Sequence, residues 1–505
     1  EGQRRRIRYS ERWADWAQRV EPDKDYDECV AGATVPVVAH EVGEWWMYPG
    51  LGLRKKYTGT MKQVAFDLFE KRLAARGLLR YAAAYHEAGT RLGLRLYKED
   101  IEKLLKSRDL AGFQLLDLRD YPGQNTAMVG ILDPFWESKG FLTAEEFRRM
   151  CDDTVILARF PRYVYAAGET LKVSLEVYRY AESDLCGTLE YAVSDGENVL
   201  VSGAFSVNAE NNANTFVGEI VCPLEIGKSA KLTVSARIGE ISNSWDVWAY
   251  KADETRYENV LVATKLNEAV FKTLREGGKV LFLAKDVPNC LQTTFNPPVW
   301  TFTMFSRHSC GWLIDAKHPA LEGFPTEMYA DMQWEDLTLG SRALPLAKLH
   351  KKTEPIVSAI DDPVRAQQLA AVEEFSVGKG RILVCTLDIS SNLAARPAAR
   401  QLKNSLLSYL SRTEKGGEEN ALTEEELKLL LADERFSFAE PPAARPLLQV
   451  EFPARLKGEG YAPWKAENDA VWAEKGYGYE ISNYLENYAV MQPETPSGSY
   501  RNAFL

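Results

Sequence analysis

No CxxC spacing occurs in this chain, and its seven cysteines, at 29, 151, 186, 222, 290, 310 and 385, stand singly. An odd, dispersed set supports neither a disulfide framework nor a zinc site. Histidine is scarcer still, with five residues at 40, 86, 308, 318 and 350. No window approaches the roughly 18 apolar residues of a membrane span. Positive charge is also short: 61 lysines and arginines against 72 acids leave a formal net charge of -11. A nucleic-acid binder carries a basic stripe, and the one basic run, Arg4 to Arg8, reads as a solvated turn or strand edge. Walker and GxGxxG patterns are missing. Gly277-Gly278 and Gly378-Lys379-Gly380 come before strands instead of linking a strand to a helix, so they read as turns, not phosphate loops. No metal and no cofactor are expected.

What remains is an ordinary globular composition, 45% apolar and 26% charged over 505 residues. That length exceeds one core and suggests about three or four domains. Aromatics reach 11%, with 12 tryptophans and 23 tyrosines, enough to make flat stacking surfaces plausible beside those in the core. The chain opens at Glu1, without methionine or a signal-type apolar region, and is expected to be a processed or truncated product.

Residues 1 to 33 read as a polar, aromatic-studded loop. Val35 to Ala39 is β-branched and apolar, the pattern of a strand buried on both faces. Met61 to Arg76 has helical spacing closed by Gly77, and a second helix is expected from about Tyr81 to Lys106, interrupted near Gly89 and Gly93. "GFQLLDLRDYPGQ", 112 to 124, gives another buried strand ending in Asp117 and Asp120, and residues 143 to 151 open with a threonine cap. Strand, helices, strand, helix, with acids at the carboxyl ends of the strands, is βα-barrel or Rossmann grammar. After residue 152 alternating segments with frequent turns predict an antiparallel β-sandwich over 153–252. Helix–strand grammar returns over 256–413 as a doubly wound α/β domain closed by a helix at 397 to 411. "EKGGEEN" at 414 to 420 reads as a linker, and 421–505 is an aromatic-rich segment of unassigned fold.

The chemistry is expected at "VPVVAHEVGEWWMYP", 35 to 49, where a buried strand ends on His40-Glu41. A carboxylate there is expensive to desolvate unless it works or is paired. A core-edge acid held by an arginine and a helix cap are the bland readings. Trp45 and Trp46 would offer flat faces matching the C–H faces of sugar rings, or else be core. Asp117, Asp120 and Gln124 would serve hydroxyls, with Trp13, Trp16 and Asp25 within reach from the opening loop.

"AHEVGEWWMYP", "YTG" at 57 to 59, "YKEDIE" at 97 to 102 and "GFQLLDLRDYPGQNTAMVGILDPFWESKG" together resemble the later barrel strands of family 2-like glycoside hydrolases. That is the multidomain, exo-acting group related to β-galactosidases and β-glucuronidases. The likeness runs on through "DAKHPALEGFPTEMYADMQW" and "GKGRILVCTLDISSNLAARPAARQL", over residues 30 to 412. The resemblance implies a (β/α)8 catalytic barrel whose strands seven and eight lie within 1–152, an immunoglobulin-like sandwich, and a flavodoxin- or glutamine-amidotransferase-like α/β domain. It implies Glu41 as the nucleophile ending strand seven, although Val42 stands where the group commonly has an aromatic residue, with His40 among the substrate-binding residues. Retaining hydrolysis needs a second carboxyl about 5–5.5 Å away. In the group that acid/base follows an asparagine upstream, and the one Asn-Glu pair here, Asn267-Glu268, is downstream in a helical pattern and read as structural. The resemblance therefore implies a companion chain or missing segment carrying strands one to six, a carbohydrate substrate, and a periplasmic or secreted setting. Amidotransferase chemistry is not expected, because Cys385 lies inside a strand pattern with no histidine after it. Two further readings stay open: a non-catalytic carbohydrate-binding or scaffold relative, and inversion using Glu41 with Asp117 or Asp120. Arg119 would contact a uronate carboxylate or pair with those acids.

Overall fold

The structure, a computed structural model, describes residues 20–59, 64–121, 123, 127–251, 257–288, 290–302, 309–349, 353–413 and 420–431. It is a mixed α/β protein, rich in strands, with several sheets. The first unit runs α1 (Asp27–Val30), β1 (Val38–Val42), α2 (Val64–Ala75), α3 (Ala82–Lys106), β2 (Gly112–Leu115) and α4 (Ala144–Arg148). β1 and β2 pair in parallel. Leu104 of α3 packs with Ala39, Val42, Phe113 and Leu115, so the helix covers one face of the pair. The expectation of a strand buried on both faces is corrected here. In β1 only Ala39 and Val42 are buried, while Val38, His40 and Glu41 are exposed. Among the described residues, no second layer covers the other face.

α3 is continuous through Gly89 and Gly93, where an interruption was expected. Both glycines permit close packing against the segment after β1. A Cβ on Gly89 would lie 3.1 Å from the Tyr48 nitrogen, and one on Gly93 would lie 2.9 Å from Met47 Cγ. Thr143 does cap α4, in a reciprocal capping box with Glu146.

The second unit holds β3 (Thr154–Arg159), β4 (Val164–Ala166), β5 (Thr170–Arg179), β6 (Leu185–Ser194), β7 (Val199–Ala209), β8 (Ala213–Pro223), β9 (Ala230–Ile238) and β10 (Ile241–Tyr250). Sheets β4-β10-β9-β6-β7 and β3-β5-β8 share one core. β9 illustrates the period-two logic: Ala230, Leu232, Val234, Ala236 and Ile238 are buried, and the residues between them are more exposed.

The third unit comprises β11 (Val260–Ala263), α5 (Glu268–Arg275), β12 (Lys279–Leu283), β13 (Leu291–Gln292), β14 (Trp312–Ile314), α6 (Glu335–Thr338), β15 (Arg342–Pro345), β16 (Val357–Ile360), β17 (Gln368–Val377), β18 (Gly380–Cys385), α7 (Pro397–Arg412), β19 (Ala421–Leu422) and α8 (Glu424–Leu431). β11, β12 and β18 are parallel, and β17 continues the sheet antiparallel. Val280 and Phe282 face the core that holds α5 and α8, whereas Leu281 and Leu283 face the core that holds α7. Helices thus cover both faces, which is why β12 and β18 read as continuous apolar runs. β19 pairs with β17 and α8 packs on the sheet, so this unit continues past residue 413 to Leu431. The first and third units share a core: Trp46, Phe69 and Leu92 pack in one cluster with Trp312, Leu383 and Leu406. No helix among the described residues is long and apolar enough to cross a membrane.

Candidate active site at the carboxyl end of β1

Pairing between β1 and β2 steps from Ala39↔Phe113 to Val42↔Leu115, three residues on one strand against two on the other. The extra residue is a bulge at His40-Glu41, a device that re-aims side chains at strand ends. Glu41 has φ 60, followed by Gly43 at 90 and Glu44 at 61. A left-handed backbone at a non-glycine residue costs on the order of 1–3 kcal/mol and persists only where its surroundings impose it. The Glu41 side chain is 52% exposed, with Oε1 at 3.7 Å from His40 Nε2. His40 Nδ1 lies 3.0 Å from Gln114 Oε1. That oxygen only accepts, so Nδ1 is the donor of this bond. Gly43 is required on two counts, its positive φ and the Tyr97 ring that occupies the place of a Cβ. The Tyr97 hydroxyl donates to the Val129 carbonyl, tying the exit of β1 to the loop that follows β2.

That loop holds the remaining expected residues. Asp117 is half-buried, and its Oδ1 accepts from the Leu118 nitrogen at 2.7 Å. Asp120, expected among the substrate-binding residues, has partners within the fold. It is fully buried, ion-paired with Lys139 Nζ at 2.7 Å, and accepts from the Gly130 nitrogen at 2.9 Å. Burial pushes its carboxyl up to about 6, against the pull of Lys139. Arg119 donates to the Asp120 carbonyl at 3.0 Å and lies over the Trp136 ring. Asp25 pairs with Arg159 at 2.9 Å and so braces the second unit. Gln124, Trp13 and Trp16 lie outside the described residues.

The tryptophan pair takes the core alternative. Trp45 is 3% and Trp46 0% exposed, so neither offers a face to a sugar. Trp45 Nε1 donates to Asp100 Oδ2 at 2.9 Å, and Trp46 packs edge-on against Tyr48 and Phe302. The cause is tertiary. Trp46 N donates to the Pro298 carbonyl and Trp300 N to the Glu44 carbonyl, so the third unit covers this segment. Exposed aromatic surface lies instead on the loop after β2. Trp136 is 62% exposed, and Tyr121 is exposed and stacked on Trp300 with centroids 5.9 Å apart. Their turn contexts, "DYPG" and "DPFW", were the available signal.

Asn267-Glu268 is structural, since the Asn267 side chain caps α5 by accepting from the Val270 nitrogen at 3.1 Å. Cys385 is buried within β18. His318 caps a short 3-10 turn, accepting from the Ala320 nitrogen at 3.1 Å. The arrangement at β1 supplies one exposed carboxylate beside an imidazole, with aromatic faces on a neighbouring loop.

Two families, each described only as a domain of unknown function, match parts of the chain: DUF8488 over residues 169–251 and DUF8487 over residues 261–432. No curated protein matches. Among solved structures, a Paenibacillus cycloisomaltooligosaccharide glucanotransferase aligns at 11% identity and TM-score 0.18, over 28% of this chain and 21% of that one. The Pseudomonas fluorescens alkylpurine DNA glycosylase AlkC aligns at 12% and 0.17, over 20% and 31%. A family 123 glycoside hydrolase from Clostridium perfringens aligns at 11% and 0.13, over 25% and 33%. This chain spans a third or less of each of these, and at such scores the likenesses carry no argument.

Proposed function

We propose that this chain carries the nucleophile, Glu41, of an exo-acting, retaining glycoside hydrolase that acts on a terminal β-linked sugar. The observation that carries the reading is the Glu41 carboxylate, held out in a left-handed bulge at the carboxyl end of a parallel strand. Parallel sheets are ordinarily covered on both faces, yet among the described residues β1 and β2 pair only with each other and Val38 is exposed. Such a pair is what the last two strands of a (β/α)8 barrel leave when the first six are supplied separately. On this reading a companion chain or segment brings the acid/base, and Glu41 attacks the anomeric carbon while that second carboxyl protonates the leaving oxygen. Tyr121 and Trp136 take the stacking role expected of Trp45 and Trp46. The second unit would be the immunoglobulin-like sandwich and the third the flavodoxin-like domain that flank the barrel, in a periplasmic or secreted enzyme.

The test is covalent trapping on native material with its companion present. A panel of 2-deoxy-2-fluoro aryl β-glycosides should label the peptide containing Glu41, and Glu41→Gln should abolish the label together with turnover. Sugar binding without label or turnover would instead establish a non-catalytic carbohydrate-binding protein. Inversion with Asp120 is disfavoured by its burial against Lys139.

A further inference from the structure

The third unit contains a cavity of about 690 Å³ at the carboxyl ends of the parallel strands β12 and β18. Lys285 and Asp286 follow β12, and Thr386 and Asp388 follow β18. Arg342 enters from the start of β15, which takes up pairing with β17 at Ala370, near where β18 leaves off at Val372. In open α/β sheets the crevice beyond the carboxyl strand ends is where ligands bind, and this volume falls in the usual small-molecule range.

The walls are fixed by their own contacts. Lys285 Nζ donates to Ser391 Oγ at 2.8 Å and to Asp388 Oδ2 at 3.3 Å. Arg396 is committed to Asp336 through both carboxylate oxygens and to the Asp388 carbonyl. Burial raises the Asp388 carboxyl, but hydrogen bonds from Ser391 and Ser390 outweigh it and hold the group well below the usual carboxylate range. Two charged groups are left over. Arg342 and Asp286 are both exposed and have no ion-pair partner among the described residues.

The chemistry of these free groups limits the ligand. One guanidinium suits one carboxylate in bidentate fashion, and a free carboxylate suits hydroxyl donors. With Asp336 and Asp388 neutralised by Arg396 and Lys285, one guanidinium balances one negative charge, and Asp286 beside it opposes the second charge of a dianionic phosphate. Among the described residues no aromatic side chain lines it, so none of them stacks on a nucleobase. We infer that this cavity binds a monoanionic sugar acid, a carboxylate carried on a polyol, with Arg342 on the carboxylate and Asp286 on the hydroxyls. The site is separate from Glu41 and does not depend on hydrolysis there.

Titration calorimetry of the intact protein with D-glucuronate, D-glucose and inorganic phosphate tests this. Saturable glucuronate binding is expected, with glucose and phosphate at least about tenfold weaker. Arg342→Ala should weaken glucuronate by about tenfold or more and remove its preference over glucose, while Arg342→Lys, which keeps charge but loses the fork, should fall between. Asp286→Asn should weaken glucuronate and glucose alike. These side chains are at the surface, and unchanged circular dichroism would confirm folding. Absence of glucuronate binding, equal binding by Arg342→Ala, or tighter binding of phosphate would each overturn the assignment.

Discussion

Replacing Lys139 with methionine should loosen the loop after β2, and by an amount that depends on pH. Lys139 and Asp120 are both buried and 2.7 Å apart. Removing one partner of such a pair typically costs about 3–5 kcal/mol. Asp120 is pushed up to about 6 by burial even with Lys139 beside it, and without that cation it rises further. A raised carboxyl means that the folded state keeps a proton that the unfolded chain sheds from about pH 4. The stability linked to it is complete below that pH and is lost as pH rises through the folded value. At pH 5 Asp120 is protonated in both proteins, so the ionic part of the loss vanishes. Above about 6 the wild-type group ionises and the variant's does not, so the difference grows by about 1.4 kcal/mol per pH unit. Two units bring it to about 3 kcal/mol at pH 8, within the range for a broken buried pair. The assay is hydrogen exchange of peptides covering 116–142, corrected for intrinsic rates, at pH 5, 6.5 and 8. A difference below about 1 kcal/mol at pH 8, or one equal at pH 5 and pH 8, would refute the reasoning.

Glu41→Gly should stabilise the first unit by about 1 kcal/mol, since relief of the left-handed strain exceeds glycine's entropic cost; the same variant should lose all proposed hydrolysis, and urea unfolding with parallel activity assays checks both. Gly43→Ala should cost about 2 kcal/mol or more, because its positive φ and the Tyr97 ring both oppose a Cβ; a shift in the urea midpoint reads it. Thr143→Ala, which removes the capping box of α4, should cost about 1 kcal/mol, seen as faster exchange over 143–151.

Local physics made much of the fold readable. The apolar run "KVLFL" of β12, the alternation in β9 and the threonine that caps α4 each act within a few residues, so pattern and structure agree. Gly89 and Gly93 misled for the same reason: helix propensity is local, but these glycines answer to Met47 and Tyr48 across a helix contact. The acid at 41 was visible as a carboxylate ending an apolar run. Its bulge and left-handed backbone were not visible, because they arise from register with β2, about 70 residues later.

The sequence alone determined where most helices and strands form, that an acid lies near the end of β1, and that phosphate-loop and CxxC zinc chemistry lack their motifs. Tertiary structure decided which groups are available. It buried Trp45 and Trp46 beneath the segment around Pro298, turned Asp120 inward onto Lys139, and left Trp136 and Arg342 open. Residue type sets what a side chain is able to do, but burial and partners are properties of contacts between distant segments, and those exist only once the chain has folded.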